Sequence, residues 1–318
     1  MSCLISVVIP VKNGAQTLHK CLASIKDQTI ANDIELIILD SCSTDTSKQI
    51  ALEFGATVID ILPETFNHGL TRNEALKYTT GELIYYTVQD ASIADNNMLE
   101  RMCMHFNDRT VQSVCAHQAI PHDLDKNPAL WFRRMTQPVP EVRYFPNGGF
   151  ERLSKQQQLN YRFWDNVCAM YRKEILVKLP FMETDYSEDC LWADMALKNG
   201  YKIIKDPSLV VYHYHHLRFG YTYKTYFIIN YYFFNFFGAL PSYPKLIKPM
   251  LIRINILRKE NALKITQKLY WCLHNMSALV AQWLSVWVFK MSFMLRGGAG
   301  LKKMYKVICK TVPQGKQK

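Results

Sequence analysis

A chain of 318 residues that is 49% apolar and 20% charged is too hydrophobic to be disordered and long enough for one large domain with an appendage. Its net charge of +11 is unevenly placed: sixteen of the 38 Lys and Arg but only one of the 27 acids lie from Tyr221 onward, which leaves residues 1–220 at −4. Those cations sit among runs such as YFIINYYFFNFFGAL and WLSVWVFKMSFML, a composition that argues against a nucleic-acid groove and for a surface lying on anionic lipid.

Taken in chain order, LISVVIP is a short apolar run closed by Pro10 and predicts a buried strand. TLHKCLASIKDQ follows with apolar residues at 18, 21, 22 and 25, one face of a helix. IELIILD is a second buried strand, and SCSTDTSKQIALEFGA a capped helix stopped by Gly55, with Ser43 or Thr44 as its cap. TVIDIL is a third strand, TRNEALKYTTGE a helix, and LIYYTVQD a fourth strand. Strands that are apolar throughout and alternate with helices over short connections predict a parallel sheet covered on both faces. Such sheets bind ligands beyond the carboxyl ends of their strands. The polar residues there are Pro10-Val11-Lys12-Asn13, Asp40-Ser41 and Gln89-Asp90. Neither GxGxxG nor GxxxxGK[ST] occurs, which disfavours a dinucleotide fingerprint and a P-loop.

Several of these residues have two readings. Asp40 is either a helix cap or an acceptor for a nucleobase or ribose. Asp90 is either a turn carboxylate or a ligand for Mg²⁺ or Mn²⁺ beside a diphosphate. In TFNHGLTRNEAL, His68 and Arg72 are either solvated loop residues or part of an anion site at a helix start. In VVYHYHH, His213 and His215 fall on one side of an extended segment, where they suit a metal or a phosphate. YSEDCLWADMALKNGYKI predicts a helix with Ser187 as N-cap, Asn199-Gly200 as its stop, and Glu188 and Asp189 in its first turn. The pair either serves the helix dipole or aims a carboxylate into a site.

The composition changes near residue 220, which divides the chain into 1–220 and a basic, aromatic-rich helical region, 221–318. Within the latter, residues 269–289 carry no formal charge and are long enough to span a bilayer. Large residues at 269, 273, 276, 280, 284 and 287 fall near one face, with Asn275, Ala278, Gln282 and Ser285 on the other. This pattern favours a helix lying in the membrane interface over a span. Packing beneath the first domain, or a homodimer contact, is the competing use of the aromatic helices. Nine scattered cysteines without a CxxC pair suit reduced thiols, and no signal peptide is expected ahead of the first strand.

The ordered set SVVIPVKNG, LIILDSCSTD, FNHGLTRNEAL, YYTVQDAS, DNVCAMYRKEIL, YSEDCLWADMALKNGYKI and VVYHYH resembles family-2 glycosyltransferases of the GT-A type, and more narrowly their bacterial rhamnosyltransferase branch. The resemblance covers about residues 4 to 216. It implies a GT-A fold, with a mostly parallel central sheet flanked by helices. Asp40 and Ser41, with Pro10 and Asn13, would line the nucleotide pocket, and His68, Arg72, Asn73 and Gln89 would lie by the donor. Asp90 would be the metal-binding Asp, in the QDA form usual in the branch, with His213 or His215 reaching the metal or diphosphate. Asp189 would be the general base, with Glu188 beside it. Leu70 departs from the branch, which commonly has a second Gly there.

What this implies is an inverting enzyme that moves one sugar, L-rhamnose from dTDP-L-rhamnose. The acceptor would be a saccharide or a lipid-linked saccharide in bacterial surface-polysaccharide assembly, at the cytoplasmic face of the inner membrane. Absence of a QxxRW motif argues for single-sugar addition. The rivals are a membrane-docked sugar-nucleotide-binding protein without catalysis and a transferase with a UDP- or other dTDP-sugar donor.

Overall fold

The computed structural model describes residues 4–133 and 138–308. Its contacts divide the chain into two units, one formed by residues 1–119 and 133–214, the other by 120–132 and 215–318. The excursion of residues 120–132 into the second unit has no counterpart in the composition.

The first unit is built on one sheet. β1 (Ile5–Val11), α1 (Leu18–Lys26), β2 (Ile34–Asp40), α2 (Ser47–Glu53), β3 (Thr57–Asp60), α3 (His68–Ala75) and β4 (Leu83–Thr87) come first. β5 (Ser92–Ile93), α4 (Met98–Met104), β6 (Val111–Ala119), β7 (Glu141–Arg143) and α5 (Lys155–Arg162) follow. β8 (Cys168–Arg172), α6 (Lys173–Lys178), α7 (Glu188–Lys198) and β9 (Lys202–Tyr212) complete the unit. Strand order is β3-β2-β1-β4-β8-β6-β9-β5, with β7 also on β9. β1 to β4 pair in parallel, as their continuous apolar runs predict, and Ile5, Val7, Val8 and Ile9 are all buried. Beyond β4 the sheet is mixed, because β8 runs antiparallel to both β4 and β6.

α1 buries Leu18, Cys21, Leu22 and Ile25, the face its spacing predicts. Three local expectations fail. β3 is a half-exposed edge strand of four residues, not a buried run, since it has a neighbour only on the β2 side. α3 starts three residues early because Asn67, not a residue of TRNE, caps it through the Gly69 and Leu70 N–H groups. α2 starts late because Asp45 takes the Ser47 N–H, leaving Ser43 and Thr44 in the loop.

Register then positions the site. Val11, Asp40 and Asp60 are aligned across β1, β2 and β3, so the loops after these strands open on one edge. Tyr212 at the end of β9 pairs with Ser92 and with Ala119, which delivers His213 next to the turn that carries Asp90.

The second unit holds α8 (Phe219–Phe237), α9 (Ile247–Lys259) and α10 (Ile265–Ile308). α8 and α10 pack through Phe227, Phe234, Phe289 and Phe293, with ring centres 5.1–6.0 Å apart. Reciprocal amide bonds of 2.9 and 3.2 Å tie Asn127 to Asn275. α10 breaks at Arg296 and Gly297, where Gly297 adopts φ +55, a backbone region that glycine enters at little cost.

Candidate active site

The loop after β1 is zipped to the loop after β2 and to the end of β4. Asn13 sits in the left-handed region, and its Oδ1 accepts the Thr44 N–H at 2.8 Å while its own N–H donates to Ser43 Oγ at 2.9 Å. Gln89 accepts the Lys12 N–H at 2.8 Å and donates back to the Lys12 carbonyl at 3.3 Å, so its side chain closes the β1 loop against β4. Lys12 Nζ in turn donates to the Ser41 carbonyl. Pro10 lies half-buried near the end of β1.

Asp40 is fully buried at the end of β2. One carboxylate oxygen holds the Ser43 N–H at 2.9 Å and lies 3.7 Å from Lys48 Nζ. The other oxygen, and the neighbouring Ser41 hydroxyl, are buried without a hydrogen-bond partner. Two adjacent orphaned polar groups at the C-terminal edge of a parallel sheet form a cradle that a hydrogen-bonding ligand would complete.

Asp90 and His213 come together in the first unit. His213 Nε2 lies 3.4 Å from Asp90 Oδ1, and His213 Nδ1 lies 2.8 Å from Gln118 Oε1. Gln118 in turn donates to Asp165, whose other oxygen accepts the Val167 N–H at 3.0 Å. A carboxylate and an imidazole nitrogen facing each other are a hard–borderline donor pair that suits a divalent ion such as Mn²⁺ better than Mg²⁺. His215 is the first residue of the second unit, where its ring lies 5.8 Å from Tyr221.

The two acids at the head of α7 diverge sharply. Glu188 is buried and its Oε1 lies 2.8 Å from Arg72, which is also buried. Burial raises the Glu188 pKa, but Arg72, His68 and the 3.1 Å hydrogen bond from Asn166 Nδ2 outweigh it and hold the group below its usual range. Among the described residues, Asp189 has no ion-pair partner, and its oxygens accept the Asn166 N–H at 3.2 Å and the Cys190 N–H at 2.7 Å. Burial, then the charges of Glu188 and Asp165, push it well above the ordinary carboxylate range. Two adjacent carboxylates driven apart in this way are the signature of divided acid–base roles.

Ser187 occupies the N-cap position but takes φ +62 and makes no side-chain cap, contrary to its reading as a conventional cap. Asn166 does the fixing instead: its backbone N–H holds Asp189, its side-chain Nδ2 donates to Glu188, and its side-chain Oδ1 accepts from the Tyr171 hydroxyl at 2.6 Å. Tyr171 belongs to an aromatic box with Tyr86, Phe181 and Trp192, ring centres 4.7–5.8 Å apart. Arg72 reaches the site from α3 through its bond to the His68 carbonyl and lies 5.9 Å over the Tyr86 ring. Burial is the chief cause that lowers the His68 pKa. Asn73 uses both ends of its amide on the Phe181 backbone and so moors α3 to the loop before α7. Asp165 and Asn166 carried no motif signal of their own beyond lying in DNVCAM, and Gln118 lies in none of the motifs. The ion pair of Arg72 with Glu188 joins residues too far apart in sequence to be paired by pattern.

The family model for glycosyl transferase family 2 matches residues 6–179. The O-antigen chain rhamnosyltransferases RfbN of Salmonella typhimurium and WbaN of Salmonella anatum are 31% and 32% identical over 215 and 220 residues. Those alignments span 66% of this chain and 66% of each relative's own length. Among solved structures, the mannosyltransferase PcManGT of Pyrobaculum calidifontis, in complex with GDP-Man and Mn²⁺, superposes with a TM-score of 0.55 at 15% identity. It covers 96% of this chain and 84% of its own. Residues 1–349 of S. aureus TarS give 0.51 at 17% identity, covering 98% and 91%. At such identities the likeness is one of fold, the GT-A fold with its mixed sheet flanked by helices.

Proposed function

The chain belongs to glycosyl transferase family 2, and from that membership we propose that it is an inverting transferase moving a single L-rhamnose from dTDP-L-rhamnose to a saccharide or lipid-linked saccharide. The observation that carries the catalytic reading is the unequal carboxylate pair: Asp189 is aimed by Asn166 with no ion-pair partner among the described residues, while Glu188 pairs with Arg72. A base whose pKa lies above the ordinary carboxylate range binds the proton of an attacking hydroxyl more strongly than an exposed Asp would. The acceptor hydroxyl attacks the anomeric carbon from the face opposite the nucleotide and loses its proton to Asp189. The bond from the anomeric carbon to the diphosphate oxygen breaks, and dTDP departs with that electron pair. The rhamnose donor is the reading favoured by the two Salmonella relatives, which bear that activity in their names.

Asp40 and Ser41 supply the orphaned acceptor and hydroxyl for the nucleotide, within a pocket whose shape Pro10, Asn13 and Gln89 maintain. His68, Arg72 and Asn73 hold the α3 side of the donor site in place. Asp90 and His213 would hold Mg²⁺ or Mn²⁺, which supplies charge neutralisation for the leaving diphosphate. Gln118 holds His213 from its Nδ1 side, which leaves Nε2 directed at Asp90. The enzyme would work in surface-polysaccharide assembly at the cytoplasmic membrane face.

The reading is tested with a panel of sugar nucleotides, each with and without Mg²⁺ or Mn²⁺. Consumption of dTDP-rhamnose above UDP- and GDP-sugars supports it; turnover of a different donor alone would retain the transferase and reject the rhamnose assignment. No binding or turnover of any donor would leave a protein without this chemistry. Asp40→Asn is expected to weaken donor nucleotide binding by roughly 10- to 100-fold, the worth of one hydrogen bond to a charged acceptor. Isothermal titration with dTDP measures it, and unchanged affinity would place the nucleotide elsewhere.

A further inference from the structure

The long helix α10 shows large apolar side chains on its exposed face as well as on its packed one. Leu269, Leu273, Met276, Val280, Trp283 and Trp287 are all exposed, from 36% at Trp283 to 61% at Leu269. Their spacing of four and three residues makes one straight stripe about 27 Å long at the rise of an α-helix. The opposite face of α10 is packed: Trp271, Ala278, Leu279, Ala281, Val286 and Phe289 are buried there together with three polar residues. Asn275, Ser285 and Ser292 are buried, Asn275 bonded to Asn127 and Ser292 to the Val288 carbonyl. A helix of a water-facing protein is apolar on its packed face alone, whereas α10 is apolar on its exposed face as well.

The stripe has a basic, aromatic border. Tyr243 stacks on Trp283 at 5.2 Å, and Lys290 Nζ lies 4.5 Å from the Tyr243 ring centre, a cation held against an amphipathic aromatic pair. Lys268 stands at one end of the stripe with its ammonium on the Arg258 carbonyl, and exposed Arg296 stands at the kink beyond the other. From residue 221 onward only Glu260 is acidic. A second copy of this chain, docked stripe to stripe, would therefore bring cations against cations with almost nothing to pair them.

We propose that the exposed stripe of α10 and its Lys/Arg border form a seat for an anionic phospholipid surface, with the helix lying along the interface instead of crossing it. A surface of negative headgroups over hydrocarbon complements both parts of the seat: the cations meet phosphates while the Leu, Met and Trp side chains enter the acyl boundary. The packed opposite face, with Phe289 against Phe227 and Phe234, keeps the helix fastened to its own unit. This seat deepens the membrane-surface reading given above but is independent of the donor chemistry.

The tryptophans make the test direct. Of the six, Trp131, Trp164, Trp192 and Trp271 are buried, and only Trp283 and Trp287 are exposed. The full-length wild-type protein is mixed with vesicles of phosphatidylcholine alone, or of phosphatidylcholine with phosphatidylglycerol, each made with brominated acyl chains. The expected result is quenching of the exposed fluorescence and co-flotation with the anionic vesicles only, reversed by high salt. Trp283→Glu/Trp287→Glu is expected to reduce anionic-vesicle binding roughly tenfold or more while donor hydrolysis by the same sample is retained. Lost flotation with retained hydrolysis in that variant separates the seat from the chemistry. If wild type floats but hydrolyses no donor, the function fails and the seat stands. Binding to neutral and anionic vesicles alike, no quenching in the wild type, or resistance to both salt and alkaline carbonate would each overturn the seat. So would a stripe substitution that halves the particle mass in solution, which would make the occupant a second copy.

Discussion

Asp189→Asn is expected to lower sugar transfer by roughly 10²- to 10⁴-fold, the contribution of a positioned general base, while dTDP-sugar affinity stays within about twofold. The amide replaces the carboxylate without change of shape, and its oxygen still accepts from Asn166 or Cys190. Only the capacity to take a proton is lost. The substitution carries a second, opposite signature. Because the folded protein holds the Asp189 pKa above its unfolded value, the unfolded chain gives up that proton first as pH rises, so the wild type loses stability from about pH 4 until Asp189 itself ionises. Asn has nothing to ionise and is spared that loss. The variant should therefore melt above the wild type at neutral pH, a gain that a damaged fold could not produce. A variant both inactive and less stable would mean that Asp189 is structural.

The two carboxylates also predict each other's titration. In kcat/KM against pH, the wild type should show an acid limb with its midpoint above the ordinary Asp value of about 3.9, since the base must be ionised to act. The Glu188 charge is one of the causes that raise it, second to burial. Glu188→Gln removes that charge, and the limb should move to lower pH. A limb that stays in place, or vanishes with Glu188 instead of Asp189, would exchange the two roles.

How much of this could be read before the fold was known depends on how local each signal is. Three of the four parallel strands, β1, β2 and β4, are written in runs of five to seven residues, so the sheet edge that carries Asp40, Asn13 and Gln89 was legible in outline. The stripe on α10 was legible for the same reason: residues 269, 273, 276, 280 and 287 and their polar opposites were separated by helical spacing alone. What spacing could not show was direction, that is, which stripe is covered. Contacts of long sequence separation were not legible either. Glu188 and Arg72 stand 116 positions apart, and His213 and Gln118 95 apart. Ser187 is the informative failure. Its residue type suits an N-cap, yet the chain enters α7 through a left-handed turn, and Asn166 supplies the hydrogen bonds that hold the pair.

Arg72→Met is expected to destabilise the first unit by about 3–5 kcal/mol, because it strands Glu188 as a buried charge with no cation. Both partners are nearly dry, Arg72 at 4% exposure and Glu188 at 6%, so solvent cannot take over the neutralisation. Urea unfolding followed by tryptophan emission measures it, since Trp164 and Trp192 lie around the aromatic box beneath the pair. Arg72→Met/Glu188→Leu should recover most of the loss, as apolar replacements of buried ion pairs commonly do. Activity should not follow stability back. With both charges gone, the Glu188 contribution to the raised pKa of Asp189 disappears, and the base becomes weaker though it is still in place. Such a double variant, folded and donor-binding but slow, would assign the buried pair to the tuning of Asp189. If instead the double variant recovered full transfer along with its stability, the ion pair would be a structural clasp between α3 and α7, and the raised pKa would come from burial alone.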